Sequence, residues 1–229
     1  MADSRCLADL ADNLACRSRL GLTKVAGSRG EMEQLMEAVM PTAPTPRLSS
    51  LAQVRQWMGE CSRCSLSQGR NKIVFGSGPE DARIMFIGEG PGEQEDRQGL
   101  PFVGPAGKLL DAMLAAVGLR REQVYIANIV KCRPPHNRDP QADEVAACRP
   151  FLEAQVKVIA PQAICTLGRP AAQSLLASDA PMGRLRGRWS LALGVPVLPT
   201  YHPAYLLRTP EAKALAYADL KALVKGPTT

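Results

Sequence analysis

The chain has 229 residues, 45% hydrophobic and 22% charged, a balance that fits one globular domain with a sizeable core. No apolar run reaches the roughly 18 residues of a membrane span, no basic stretch leads into an apolar one at the N-terminus, and seven cysteines, an odd number, argue against a secreted disulfide framework. Lys and Arg number 28 against 22 acidic residues, and the net charge of +6 fits an anionic partner such as nucleic acid.

Residues 1–31 read as one amphipathic helix, with Cys6, Leu7, Leu10 and Leu14 at helical spacing. Gly27-Ser-Arg-Gly30 breaks that pattern, Met32 to Met40 could form a second short helix, and Met40 to Pro46 is a Pro-rich linker. Residues 1–46 are therefore expected to be a helical or disordered appendage, and Met32 is an alternative start. Leu51, Val54 and Met58 share a helix face that ends near Gly59. Ala82 to Gly88 predicts a buried strand, followed by a helix over Lys108 to Val117 with Gly118 as its cap. Val124 to Val130 predicts a second strand. Pro140 to Ile159 predicts a long helix with Pro140 in its first turn. Ala163 to Gly168 is a third strand and Pro170 to Ala177 a helix. Val195 to Thr200 is a fourth strand, placed near a sheet edge by its prolines, and Pro210 to Val224 is the terminal helix. This alternation predicts residues 47–229 to be a three-layer α/β/α sandwich around a four-stranded parallel sheet.

Ligands of such sheets bind beyond the C-terminal ends of the strands. Four segments leave strands there: Gly88-Glu-Gly-Pro-Gly92, Asn128 with its downstream loop, Gly168-Arg-Pro170 and His202-Pro203. The first lacks the dinucleotide fingerprint, and Glu93, Glu95 and Asp96 behind it would repel a pyrophosphate. Phe102 lies among glycines and prolines, where it is either a stacking platform or a staple for its loop. Asn128 interrupts an apolar strand; its amide can read a base edge or satisfy a neighbouring loop. His202, one of two histidines, is either a turn residue or an electrophile aimed into the crevice. Lys131, Arg133, Arg138, Arg184, Arg186, Arg188 and Arg208 flank these loops and, grouped at one rim, would suit phosphates. Cys61 and Cys64 form a C-x2-C pair; with Cys132 and Cys148 they could bind tetrahedral zinc or a [4Fe–4S] cluster. Cys165 sits mid-strand and reads as core, and Cys6 and Cys16 as unliganded thiols.

Together these residues resemble the family 4 uracil-DNA glycosylases, the iron–sulfur branch of that superfamily. The likeness runs from about Leu51 to Leu223. It is carried by Cys61-Ser-Arg-Cys64, Gly88-Glu-Gly-Pro-Gly-Glu-Gln-Glu-Asp96, Gly99-Leu-Pro-Phe-Val-Gly104, Asn128-Ile-Val-Lys-Cys-Arg-Pro-Pro135 and His202-Pro-Ala-Tyr-Leu-Leu-Arg208. The resemblance implies a [4Fe–4S] cluster on Cys61, Cys64, Cys132 and Cys148 with a mainly structural role. It implies hydrolysis of the N-glycosidic bond of deoxyuridine in DNA after the nucleotide is flipped out of the stack. Phe102 would stack on uracil, Asn128 would pair with its edge, and Gly90 would donate a backbone amide to a carbonyl. Glu95 would wall the C5 edge against a thymine methyl, and His202 would stabilise the departing base. Leu206 or Leu207 would fill the vacated stack, with Arg208 and Arg186 on the DNA.

Glycine and proline stand where another branch carries a water-activating aspartate, which leaves water activation open; Glu89 is a candidate for it, or else holds its loop. Ala204 replaces a serine common in the His-Pro-Ser form of the last motif, which puts one phosphate contact in doubt. The resemblance further leads us to expect a monomeric, cytoplasmic, nucleoid-associated enzyme acting on double-stranded and single-stranded uracil-containing DNA. The appendage would be free to recruit a repair or replication partner. The alternatives are a catalytically weak iron–sulfur DNA-binding protein and a zinc-stabilised hydrolase.

Overall fold

The computed structural model describes residues 48–227. The expected helices before Pro46, and Cys6 and Cys16 on them, lie outside the described residues. Helix α1 (Leu51–Met58) starts where Ser50 Oγ accepts from the Gln53 amide at 3.2 Å and stops at Gly59. Strand β1 (Ile84–Gly88) leads into a short helix α2 (Glu93–Gln98), and α3 (Pro105–Ala116) follows with Pro105 in its first turn. Then come β2 (Tyr125–Asn128), α4 (Ala142–Ile159), β3 (Ala163–Leu167) and α5 (Arg169–Leu176). A one-turn helix α6 (Met182–Leu185) precedes β4 (Ser190–Ala192) and β5 (Val195–Thr200). Helices α7 (Pro203–Arg208) and α8 (Lys213–Lys225) close the described chain.

The sheet has five strands in the order β2-β1-β3-β5-β4. The four expected strands are parallel to one another, and β4 pairs antiparallel to β5. This corrects the strand count, since a fifth, antiparallel strand is added, while the proline-bearing β5 lies next to the sheet edge as expected. The three-residue β4 covers β5, with Leu191 opposite Pro196. Such a stub is how sheets commonly blunt an edge. The long helix begins at Ala142, two residues after Pro140, because Gln141 and Glu144 form the capping box there.

Strand alternation divides the core into two layers. Met85, Ile87, Tyr125, Ile164 and Val197 face one side, against Leu152 and Val156 of α4 and Ala171 and Leu175 of α5. Phe86, Ile126, Cys165, Leu167 and Leu198 face the other, against Leu110 and Leu114 of α3 and Leu220 and Leu223 of α8. Each fully buried Val, Leu, Ile, Phe or Met side chain among them contributes roughly 1.5–3 kcal/mol. Cys165 is core, as expected. A third cluster joins α1 to α4 and to the segments that carry the four cysteines, through Val54, Met58 and Phe151. Both faces of the sheet are thus sealed, and only the strand ends are left for a site.

Candidate active site

Three of the four strand-end segments meet around a cavity of about 660 Å³. Glu89 and Gly90 leave β1, Asn128 ends β2 and His202 follows β5; all line it, together with Glu95 and Phe102. The fourth segment stands behind: a Cβ on Gly168 would lie 2.8 Å from the His202 Cβ.

Phe102 has φ 53°, a conformation that a non-glycine residue holds only when its surroundings enforce it. Arg121 donates to the Phe102 carbonyl at 3.0 Å and to that of Pro101, and pairs with Asp111 at 3.0 Å. Glu95 Oε1 accepts from the amides of Val103 at 2.9 Å and Gly104 at 2.8 Å. Beneath the loop, a Cβ on Gly107 would collide with the Phe102 carbonyl, so α3 can approach only with glycine there. The ring so placed lies 5.6 Å from the His202 ring, their planes 34° apart. A Cβ on Gly88 would come within 2.5 Å of Asn128 Oδ1 and 2.6 Å of Phe102 Cζ. Gly88 is therefore the floor of a corner that the ring, the amide and the imidazole share.

Asn128 is 1% exposed, and its Oδ1 is buried with no hydrogen-bond partner among the described residues. A buried acceptor without a donor is costly, and at a cavity wall it marks a place for a ligand N–H. His202 caps α7, with Nδ1 accepting from the Ala204 amide at 3.1 Å. That bond leaves the ring proton on Nε2. Burial, then the charge of Arg208, pulls the imidazole down to about 4, with Glu95 opposing. His202 is therefore a neutral donor at pH 7. Glu89 is pushed the other way, up to about 7, by burial and then by Asp139, with Arg169 opposing. Asp139 itself pairs with Arg169 at 3.0 Å.

The four cysteines form a second site. Cys61, Cys64, Cys132 and Cys148, all free thiols, line one small cavity with Arg63, Arg70 and Lys131. Arg70 donates to the Cys61 carbonyl at 2.5 Å and to Cys132 Sγ at 3.5 Å. No three His, Cys, Asp or Glu side chains among the described residues converge closely enough to hold a single metal ion. Four soft donors around one cavity, ringed by three cations, fit an anionic metal–thiolate centre, an iron–sulfur cluster among them.

The family model described as uracil DNA glycosylase superfamily matches residues 75–221. The chain is 42% identical to the type-4 uracil-DNA glycosylase of Sulfurisphaera tokodaii, over 77% of this chain and 84% of that one. It is 47% identical to the type-4 uracil-DNA glycosylase of Thermotoga maritima over 68% and 82%. With the one from Archaeoglobus fulgidus it shares 41% over 77% and 92%. The chain belongs to the uracil-DNA glycosylase superfamily, in its type-4 group. The resemblance read from the motifs is thereby met, and so is the mainly parallel α/β fold.

Several expected roles change within this superfamily scaffold. Leu206 is fully buried in a cluster with Ala212 and Ala216, so the exposed leucine on α7 is Leu207. The reason is the helix face: α7 buries Leu206 and turns its neighbour outward. Arg186 is not a free rim cation. Its guanidinium grips Asp219 at 2.5 and 3.1 Å, donates to the Leu215 carbonyl at 2.8 Å and lies over the Tyr201 ring. Lys131 is 1% exposed and cannot meet a phosphate. Arg138 is committed to Glu144, while Arg208 does line the cavity. Glu95 lines the cavity too, but one of its oxygens is spent on holding the Phe102 loop. The carboxylates Glu93, Glu95 and Asp96 open α2, where the helix dipole favours them. Sequence reasoning missed Arg121, Asn137 and Asp139. The last two line the cavity from the loop after Cys132, whose Pro-Pro-His-Asn run was the one available signal.

Among the described residues no helix is long and apolar enough to cross a membrane.

Proposed function

We propose that this chain is a monofunctional uracil-DNA glycosylase that hydrolyses the N-glycosidic bond of deoxyuridine and leaves an abasic site, the first step of base excision repair. The observation that carries this reading is the corner over Gly88, where an aromatic face, an unsatisfied amide oxygen and a neutral imidazole N–H converge. Uracil presents a flat face, an N3–H between two carbonyls, and an O2 that gathers charge as the bond breaks. Phe102 stacks on the face, Asn128 Oδ1 accepts from N3–H, and a Gly90 backbone amide donates to a carbonyl. Glu95 and its neighbours fill the space that a C5 methyl would need. Cytosine offers an acceptor at N3, so it leaves the Asn128 oxygen unpaired.

In the reaction a water oxygen bonds to C1′ while the C1′–N1 bond breaks, and N1 keeps the electron pair. The water proton passes to the Glu89 carboxylate. The neutral His202 Nε2–H donates to O2 and strengthens as the uracil anion forms, which lowers the barrier without a proton transfer. Cys61, Cys64, Cys132 and Cys148 would hold a [4Fe–4S] cluster whose contribution, when bound, is to staple these segments together. Leu207 would fill the vacated stack, and Arg208 would meet the DNA backbone.

We further infer that the enzyme acts as a monomer. Flipping is cheapest from a single strand or a mispair, and we infer activity on both single-stranded and double-stranded DNA. Residues 1–46 are inferred to be a separate region that engages a repair or replication partner, and the site of action to be the cytoplasm, at the nucleoid. Incubation with an oligonucleotide bearing one uracil should yield free uracil and an alkali-labile abasic site. Tight DNA binding without release would favour a binding protein instead.

The Glu89 assignment predicts a pH dependence. A carboxylate that titrates near 7 is the active form, so kcat should rise between about pH 6 and 8 and then level off. Glu89→Gln should lower kcat by about 10²-fold and flatten that limb; the same limb in the variant would remove Glu89 from the chemistry. His202 stays neutral throughout this range and adds no limb. The linkage runs against stability: Glu89 titrates at 4.5 when free and about 7 when folded, so stability falls as pH rises through that window.

A further inference from the structure

We propose that the four-cysteine cage and the base pocket are one mechanical unit, joined by two buried charged side chains, Lys131 and Glu144, which act as positioning residues. This rests on the glycosylase reading of the pocket, and its test is separable from that reading.

Lys131 directly precedes Cys132 and lines the cage cavity, yet its ammonium holds the backbone of Asn128, the residue that lines the base pocket. It donates to the Asn128 carbonyl at 2.9 Å and to Gln155 Oε1 at 2.7 Å. Gln155 in turn donates to the Phe75 carbonyl at 2.8 Å and to the Tyr125 hydroxyl at 3.2 Å. Its hydrogen bonds among the described residues all go to neutral acceptors. A buried cation wants a counter-charge, and the thiolates of a loaded cage are the anions at hand. The backbone of Asn128, which sets where the base-reading amide stands, is therefore hung from a cation that the cage neutralises.

Glu144 makes the second strut. It is fully buried one helical turn before Cys148. Its carboxylate accepts from Ser65 Oγ at 3.1 Å, beside Cys64, and from the Gln141 amide at 2.8 Å. Its two oxygens also take the Arg138 fork at 2.8 and 2.6 Å. Arg138 sits in the cavity wall between Asn137 and Asp139. That wall is strained: His136 and Asn137 both hold left-handed φ, 55° and 54°. Arg133 donates to Asn137 Oδ1 at 2.8 Å and pins it from the other side. Strained loops of this kind persist only where neighbours over-determine them, and here one neighbour is attached to the cage.

The test uses the full-length, iron-loaded protein and reads amide hydrogen exchange at residues 126–139, iron per chain, visible absorbance, and kcat and KM for uracil release. Lys131→Met and Glu144→Gln keep size and shape while removing the charge. Each should retain iron and far-ultraviolet circular dichroism, speed exchange at 126–139, and lower kcat about tenfold with KM changed less than about threefold. Glu144→Asp should recover part of the lost protection, which a bulk loss of stability would not allow. Removing iron from the wild type should speed exchange at the same residues, which covers the case in which a variant does not fold. Unchanged exchange at 126–139 after iron removal, or iron-loaded variants with wild-type exchange and kcat, would overturn the coupling. A wild type that releases no uracil yet shows iron-dependent exchange at 126–139 would keep the coupling and sink the glycosylase reading alone.

Discussion

Replacing His202 with alanine should lower kcat for uracil release by about 10²–10³-fold while leaving DNA affinity within about twofold. The expectation follows from how the ring is held. Nδ1 is occupied by the Ala204 amide, and burial with Arg208 keeps the ring uncharged, so Nε2–H is the only donor it can aim at the base. A neutral donor gains most when charge develops on its acceptor, which happens at the transition state and not in the bound substrate. Single-turnover release against equilibrium DNA binding measures the two quantities separately. Equal losses in both would make His202 a cap of α7 that positions its loop and nothing more.

Asn128→Asp should cost about 10²–10⁴-fold in kcat/KM on uracil and narrow the preference for uracil over cytosine by a comparable factor. Asn128 is 1% exposed, so the substitution puts a carboxylate where an amide was enclosed and removes the N–H that can serve a carbonyl of the base. The cytosine exocyclic amine, which the wild-type amide N–H meets donor to donor, gains an acceptor. Matched oligonucleotides with one uracil or one cytosine give the ratio directly. An unchanged ratio would take Asn128 out of base recognition.

Much of this site is visible in the sequence because it hangs on strand ends. The runs around Ile84 to Gly88, Tyr125 to Asn128 and Val195 to Thr200 are apolar and short; glycine ends the first, a polar Asn128 interrupts the second and prolines mark the third, so Glu89, Asn128 and His202 can be named near strand ends before any coordinates, although the second strand stops at Asn128 rather than at Val130. Elements too short to carry a period could not be read this way. Ser190–Ala192 has three residues and no β-branched side chain, and α2 and α7 have six residues each. Side-chain commitments were equally hidden. A lysine after a strand reads as solvated, and only the fold shows Lys131 walled in by Gln155, which lies 24 positions on in the chain. Arg186 looks like a phosphate contact until α8 brings Asp219 to it across 33 positions. Arg121 shapes the Phe102 loop from beyond α3. Each depends on contacts between segments far apart in the chain, which no local pattern encodes.

The most direct test is the crystal structure of the protein on DNA carrying a 2′-fluoro-deoxyuridine that resists cleavage. The base should stand out of the helix, stacked on Phe102, with its N3 within about 3.2 Å of Asn128 Oδ1 and its O2 equally close to His202 Nε2. A uracil that stays in the duplex, or sits in the cavity beyond reach of both side chains, would contradict the account.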